Sequence, residues 1–312
     1  MDRLFVTRPD TLVGSAVATT LAGRMDLVGD VESSLVASSQ RAGFDLEAVC
    51  EAVQQAAPRL VVHSGPFAVA GWDVGGLGAP AGVDRRSMTH EAELAVGLAE
   101  ACRAAGAKLV VVVTDGMFAG PHMFHNENAR PNAAGPFARG AATVEAKLAR
   151  GGALVLRSHV YGWSPAAYGC NYAERMFHEL TGERPCPVDA VRHATPILAT
   201  DLADRIHDAY RLNLAGLYNL TGAERTSPYR FAAELAASLG VPGRFVQLTA
   251  KPDRGQRVNV EETSLNTLAF RRATNRPLPM LREGLARFTA QAFNGYRERI
   301  GSGAPQMLQV AA

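Results

Sequence analysis

The chain has 312 residues, a formal net charge of +2, 47% hydrophobic and 20% charged residues, the profile of an ordinary globular protein with room for one large domain, or a large and a small one. Lys and Arg are scattered without a basic block, which removes the electrostatic argument for binding nucleic acid or an anionic membrane surface. No apolar run nears the roughly 18 residues of a membrane span. "RLFVT" follows the first residues with no separate signal segment, and Cys50, Cys102, Cys170 and Cys186 form no C-x-x-C pair, so buried free thiols in a cytoplasmic protein are expected.

Short β-rich runs alternate with Ala-rich helical runs. "RLFVT" reads as a strand and 14–23 as a helix. "DLEAVCEAVQQAA" is helical and "RLVVHS" a buried strand. "WDVGGLGAPAGVDRRS", residues 72–87, is a Gly-rich loop placed where open α/β sheets put their ligands. "HEAELAVGLAEACRAAG" is an amphipathic helix leading into the strand "KLVVVVTD", then come a helix over 136–149 and a single strand "ALVLRSHVYG". The apolar runs lack period-two alternation, as strands covered on both faces do. The pattern predicts an α/β fold: a Rossmann-like doubly wound parallel sheet.

After Gly162 helices dominate. "CNYAERMFHELTGERP" is a helix, "HATPILATDLADRIHDAYR" a short strand and a helix, and "GLYNLTG" a strand. "SPYRFAAELAASLG" opens with Ser227 as N-cap and Pro228 at the first helical position, and "MLREGLARFTAQAFNGYRERI" is one final helix. The expected division is a dinucleotide-binding-type domain over 1–162 with contributions from about 190–222. A smaller, mostly helical substrate lobe takes 163–190 and 223–300, and 301–312 is a disordered tail.

Several short motifs, in the correct order and spacing, carry a family resemblance: "VVVTDGMFAGPHMFHNENARP", "VLRSHVYGWS", "HATPILATDLADRI" and "GLYNLTGAERTSPYRFAAELA". Over residues 3 to 290 the chain resembles the extended short-chain dehydrogenase/reductase superfamily, in particular its dTDP-4-dehydrorhamnose reductase (RmlD-like) branch. Thr114, Asp115, Phe118, Gly120, Glu127 and Pro131 fall in the register of that branch's Thr-Asp segment. The resemblance implies NAD(P) chemistry on a sugar nucleotide, with a tyrosine and a lysine four residues apart on one helical face. Here Phe137 and Ala141 hold those positions, with Glu145 as register mark. In the T-G-x-x-G-x-x-G loop only Gly14 survives; Arg8 and Thr11 replace the other two glycines, and Pro9 removes a backbone donor.

The two departures together predict a redox-inactive or repurposed member of the fold with no cofactor. It would bind a nucleotide-sugar-like or other small anionic ligand, or act as a non-redox enzyme or regulatory subunit. The alternatives are an NAD(P)-dependent sugar-nucleotide reductase with a rebuilt site, in which Arg8 meets a phosphate and a histidine replaces the tyrosine, or a structural partner subunit, paired as a homodimer or heteromer through helices 90–105 and 136–149. Acid–base candidates are Thr114, Asp115, His122, His125 and Glu127; the H-x-x-H spacing with Glu127 lacks a third clear metal ligand, and no metal is expected. Arg8, Thr11, Gly14, His63 and Ser64 line the degenerate cofactor loop. Glu91 sits there too, either repelling a phosphate or stabilised in a first helical turn. Arg157, His159 and Tyr161 alternate along one strand and share a face. With Arg139, Arg254 and Arg257 they are the substrate-binding candidates; Trp163 is a possible base-stacking ring or core residue, and Arg225 a further anion contact.

Overall fold

The computed structural model describes residues 1–28, 46–74, 85–166, 169–182, 184–247 and 262–301. The chain begins with β1 (Arg3–Val6), α1 (Leu12–Leu21), β2 (Asp26–Leu27), α2 (Leu46–Ala56), β3 (Leu60–His63), α3 (Gly71–Val74), α4 (Arg85–Ala104), β4 (Lys108–Thr114) and α5 (Pro136–Arg150). There follow β5 (Leu154–Ser158), β6 (Val160–Tyr161), α6 (Tyr172–Thr181), β7 (Cys186–Val188), β8 (Ile197–Leu198), α7 (Ala199–Arg211) and β9 (Gly216–Asn219). The remainder is α8 (Pro228–Leu239), β10 (Phe245–Gln247), α9 (Leu268–Thr274), α10 (Leu281–Gln291) and α11 (Tyr296–Arg299).

Six strands form one sheet in the order β2-β1-β3-β4-β5-β9, every pairing parallel. Successive residues of a strand point to opposite faces, and both faces are dry. Leu4, Val6, Leu60, Val62, Val110, Val112, Leu154 and Leu156 join one apolar cluster with α1 and α7. Phe5, Val61, Val111, Val113 and Val155 join the other with α2, α4 and α5. Unbroken runs such as "LVVVV" are therefore what this architecture demands: a polar residue on either face would lose its hydration with no partner. A third cluster, rich in aromatic rings, gathers Trp72, Tyr161, Trp163, Tyr172, Phe177, Phe231 and Phe288 from α3, β6, α6, α8 and α10.

Four expectations are corrected. The strand expected over "ALVLRSHVYG" is two: β5 ends at Ser158 in the main sheet, while β6 pairs with β8 in a separate ribbon. The last helix is also two, because Gly295 takes a left-handed φ of 78° between α10 and α11. Of the thiols, Cys102 and Cys186 are buried, Cys50 is half-buried and Cys170 exposed; all four are free. α1 starts at Leu12 rather than Gly14 since Thr11, not a later residue, caps it. The core of the Gly-rich loop, the tail from 302, Arg254 and Arg257 lie outside the described residues. No described helix is long and apolar enough to cross a membrane.

Candidate functional site

The strand order reverses direction between β1 and β3, and in an open parallel sheet the crevice at the carboxyl ends of such a pair is the natural ligand site. Thr7, Arg8 and Thr11 follow β1 there, and His63 and Ser64 end β3. Thr11 caps α1: its hydroxyl accepts from Gly14 N–H at 3.0 Å and donates to the Arg8 carbonyl at 2.8 Å, with the Ser64 hydroxyl 2.8 Å away. A β-carbon on Gly14 would lie 1.8 Å from the Arg8 carbonyl oxygen. The β1–α1 turn thus folds back onto the helix so closely that only glycine fits. Arg8 reaches sideways to Asp10 through two contacts at 2.9 and 3.1 Å. Behind the turn a second buried chain runs Thr7–His63–Glu91. The Glu91 carboxylate accepts from His63 Nε2 at 2.6 Å, and His63 Nδ1 lies 2.7 Å from the Thr7 hydroxyl. α4 begins at Arg85, so Glu91 stands in its second turn rather than its first, and its charge is committed to the imidazole instead of the helix end.

A second polar assembly occupies the carboxyl ends of β4 and β5. Asp115 is fully buried and accepts three hydrogen bonds: from Gly71 N–H at 2.8 Å, from His159 Nδ1–H at 2.7 Å, and from the Thr263 hydroxyl. A carboxylate facing three donor positions is satisfied as a pure acceptor when His159 carries a proton on Nδ1, and the other ring nitrogen, Nε2, faces away from it. Nε2 is buried without a hydrogen-bond partner, as are Trp72 Nε1 and the Tyr172 hydroxyl. The three rings pack on one another, with centroids 4.6 Å apart for Trp72–His159, 4.9 Å for Trp72–Tyr172 and 5.4 Å for His159–Tyr172. α3 is held across the crevice: Gly71 binds Asp115, the Trp72 carbonyl accepts from Arg192 at 3.0 Å, and Asp73 pairs with Arg175 at 2.6 Å. Burial raises the Asp73 carboxyl above its ordinary range, against the opposing pull of Arg175.

A family model, the RmlD substrate binding domain, matches residues 3–293. The chain belongs to that family. Among solved structures it is similar to the dTDP-4-dehydrorhamnose reductase of Bacillus anthracis in complex with NADP, at 19% identity and a TM-score of 0.75 over 93% of this chain and 99% of that one. It is similar to a dTDP-4-dehydrorhamnose reductase of Clostridium acetobutylicum, at 17% identity, a TM-score of 0.73 and the same coverage. It is also similar to the UDP-glucose 4-epimerase of Thermus thermophilus in complex with NAD, at 21% identity and a TM-score of 0.71 over 94% of this chain and 99% of that one. No protein of curated function matches the chain.

These relatives correct the expectation of no cofactor, since proteins of this fold hold NADP and NAD. At α5 stand the two residues expected to replace a tyrosine and a lysine. Phe137 packs on Phe67 at 5.4 Å between centroids, and Ala141 is fully buried beneath the sheet, so both fill space and neither offers a proton or a charge. Thr114 is buried, its hydroxyl accepting from Gly116 N–H at 2.8 Å. Of the sequence candidates, the structure brings Asp115 into contact with His159, Thr11 with Ser64, and His63 with Glu91, to which Thr7 is added through His63.

The other candidates are dispersed. Arg157 is 1% exposed and spends its guanidinium on Glu145 through two bonds of 2.6 Å, and on the carbonyl oxygens of Asn126, Glu127 and Ala129. Because the strand breaks after Ser158, Arg157, His159 and Tyr161 do not share a face. Arg157 meets α5, His159 meets Asp115, and Tyr161 packs against Phe231 and Phe288. Glu127 accepts from Asn219 N–H at 3.0 Å. His125 stacks on Phe118 at 4.4 Å, and burial lowers its affinity for a proton, while His122 is exposed. Arg139 is exposed on α5. Arg225 is bound to Glu262, and Trp163 stacks on Phe288 at 4.5 Å as a core ring. Sequence reasoning missed Trp72, Tyr172 and Thr263. Trp72 and Tyr172 were visible as polar-tipped aromatics beside the Gly-rich loop and at a helix start, whereas Thr263 lies 148 positions from Asp115 and carries no local signal.

Proposed function

We propose that this family member is a nicotinamide-dinucleotide-dependent reductase acting on a nucleotide-linked keto sugar. The observation that carries this reading is the turn at the switch point. The backbone closes over Gly14 at a distance that excludes any side chain, so the β1–α1 turn lies directly against the first turn of α1, whose Gly14 N–H is held by the Thr11 hydroxyl. A helix N-terminus presents N–H groups and a partial positive charge of about half a unit, the complement of a pyrophosphate. The residues present fit that group: Arg8 brings a guanidinium to the mouth of the turn, and Thr11 braces the turn through Ser64. Asp10 holds Arg8 in place and is the partner a phosphate would compete with. The dinucleotide, when bound, supplies or receives a hydride. Around it the chain's own residues bind and orient: α1 and Arg8 at the phosphates, His63 and Glu91 as a rigid wall, and the aromatic cluster of α3, α6 and α8 as cover against water.

The test is ligand-induced stabilisation. NADPH or NADH at a hundred times its dissociation constant raises stability by about 2.7 kcal/mol, which for a chain of this size is a Tm rise of roughly 5 °C. dTDP and dTDP-linked sugars are tested in the same assay, and NADPH oxidation is followed with dTDP-4-dehydrorhamnose, the substrate named by the two reductase relatives. No shift with either dinucleotide at millimolar concentration overturns the reading.

A further inference from the structure

We infer that His159 Nε2 gives the proton in this reduction, replacing the tyrosine whose position Phe137 fills; the inference rests on the reductase reading above. α5 supplies no titratable group at that place, and among the described residues the buried Asp115–His159 pair has the required arrangement. A carboxylate fixes the tautomer and the plane of an imidazole, and the far nitrogen is left to exchange a proton. That nitrogen is fully buried and has no protein partner. The same holds for Trp72 Nε1 and the Tyr172 hydroxyl, on rings that touch the imidazole and each other.

Three unpartnered polar atoms on three touching rings are a pattern that a packed core avoids, because each leaves a desolvated group unpaired. An oxygen of a bound guest is the kind of partner these three atoms lack. Trp72 Nε1 can only donate, Tyr172 can donate, and His159 can donate when protonated. A carbonyl oxygen becoming an alcohol needs that set: two hydrogen bonds to the developing negative charge and one transferred proton. The balance is complete. The carbonyl carbon takes the hydride that NAD(P)H supplies, leaving NAD(P)+, and the carbonyl oxygen takes the proton from Nε2. The imidazole is left neutral and regains a proton from solvent when product leaves. The groups that face the ring are Asp115 from the end of β4, which also accepts from Thr263, Asp73 from α3 with its counter-ion Arg175 from α6, and Tyr172 from α6. His159 lies under Trp72, whose single helical turn is the element that must yield to admit the sugar.

The experiment uses the full chain and three variants. His159→Asn removes the proton carrier; Trp72→Phe and Tyr172→Phe keep the rings and remove one polar atom each. Dinucleotide binding is measured first, by NADPH fluorescence, and is expected to stay within twofold of the parent in all three. With dTDP-4-dehydrorhamnose, His159→Asn is expected to lower kcat by 10²–10⁴-fold and to abolish the falling limb of the pH profile. Trp72→Phe and Tyr172→Phe are expected to lower kcat/KM about tenfold or more with the limb retained. A readout independent of turnover is the ¹⁵N resonance of His159 Nε2, expected to shift when dTDP-rhamnose is added to the NADP+-loaded parent. Turnover of His159→Asn within threefold of the parent overturns the proposal while the reductase reading stands, as does an Nε2 resonance unmoved by the sugar, which would mean that solvent water is the guest. Failure of the parent to bind either dinucleotide overturns the reading and the proposal together.

Discussion

Replacing Glu145 by Ala tests the assignment of Arg157 to the scaffold. The Arg157 side chain is 2% exposed and that of Glu145 8%. Two charge-assisted bonds of 2.6 Å join them, and the guanidinium lies 4.9 Å from the Phe118 ring. Removing the carboxylate strands a buried cation whose remaining partners are carbonyl oxygens at 3.1 to 3.4 Å. Breaking a buried pair from one side costs about 3–5 kcal/mol, because the surviving charge keeps its desolvation penalty without its counter-ion. At about 2 °C per kcal/mol for a chain of this length, Glu145→Ala should melt roughly 6–10 °C below the parent. Adding Arg157→Met removes the stranded charge and should restore more than half of that loss. The assay is urea unfolding with a thermal scan on parent, single and double variants. A Glu145→Ala protein within 1 kcal/mol of the parent, or a double variant no better than the single, refutes the reasoning. An Arg157→Met protein of parental stability that loses affinity for a dTDP-sugar would return Arg157 to the substrate.

Gly14→Ala places a β-carbon 1.8 Å from a backbone carbonyl that cannot move aside; the expected loss is about 3 kcal/mol together with dinucleotide affinity, and parental binding by this variant would show that the turn is not used. Thr11→Ala should cost about 1 kcal/mol and Thr11→Gly only a few tenths, since glycine is tolerated at an N-cap; equal losses in denaturant unfolding would deny Thr11 its capping role. Burial pushes the Glu174 carboxyl from 4.5 up to about 7, with hydrogen bonds from Ser164 and Asn171 opposing it. A carboxyl raised in the folded state adds stability in full below 4.5 and loses it as pH climbs towards 7. Relative to Glu174→Gln, the parent should weaken by about 2–3 kcal/mol between pH 4.5 and 7.5, and a difference that stays constant across that range would disprove the assignment.

The fold was legible because its signal is local. Unbroken valine and leucine runs between Ala-rich helices can be satisfied by few arrangements other than a parallel sheet covered on both faces, and Ser227-Pro228 marked a helix start to the residue. Errors fell where tertiary contacts overrule local pattern. Nothing in "LRSHVYG" says that pairing partners change between Ser158 and Val160, yet that change turned a presumed three-residue binding face into three separate environments. Phe137 and Ala141 on α5 carry no titratable group, but the conclusion that no cofactor is used went beyond what two positions can decide.

What the sequence determined by itself, then, was the parallel sheet with its covering helices and the family, because periodicity and motif spacing are properties of neighbouring residues. Only tertiary structure decided which polar side chains are spent and which are available. Arg157 and Arg225 read as anion binders until Glu145 and Glu262 arrived from elsewhere in the chain to neutralise them. His159 read as one of several strand residues until Asp115, Trp72 and Tyr172 closed around it. The physical reason is that a charge or a ring nitrogen is defined by its partner, and the partners here lie 12 to 148 positions away.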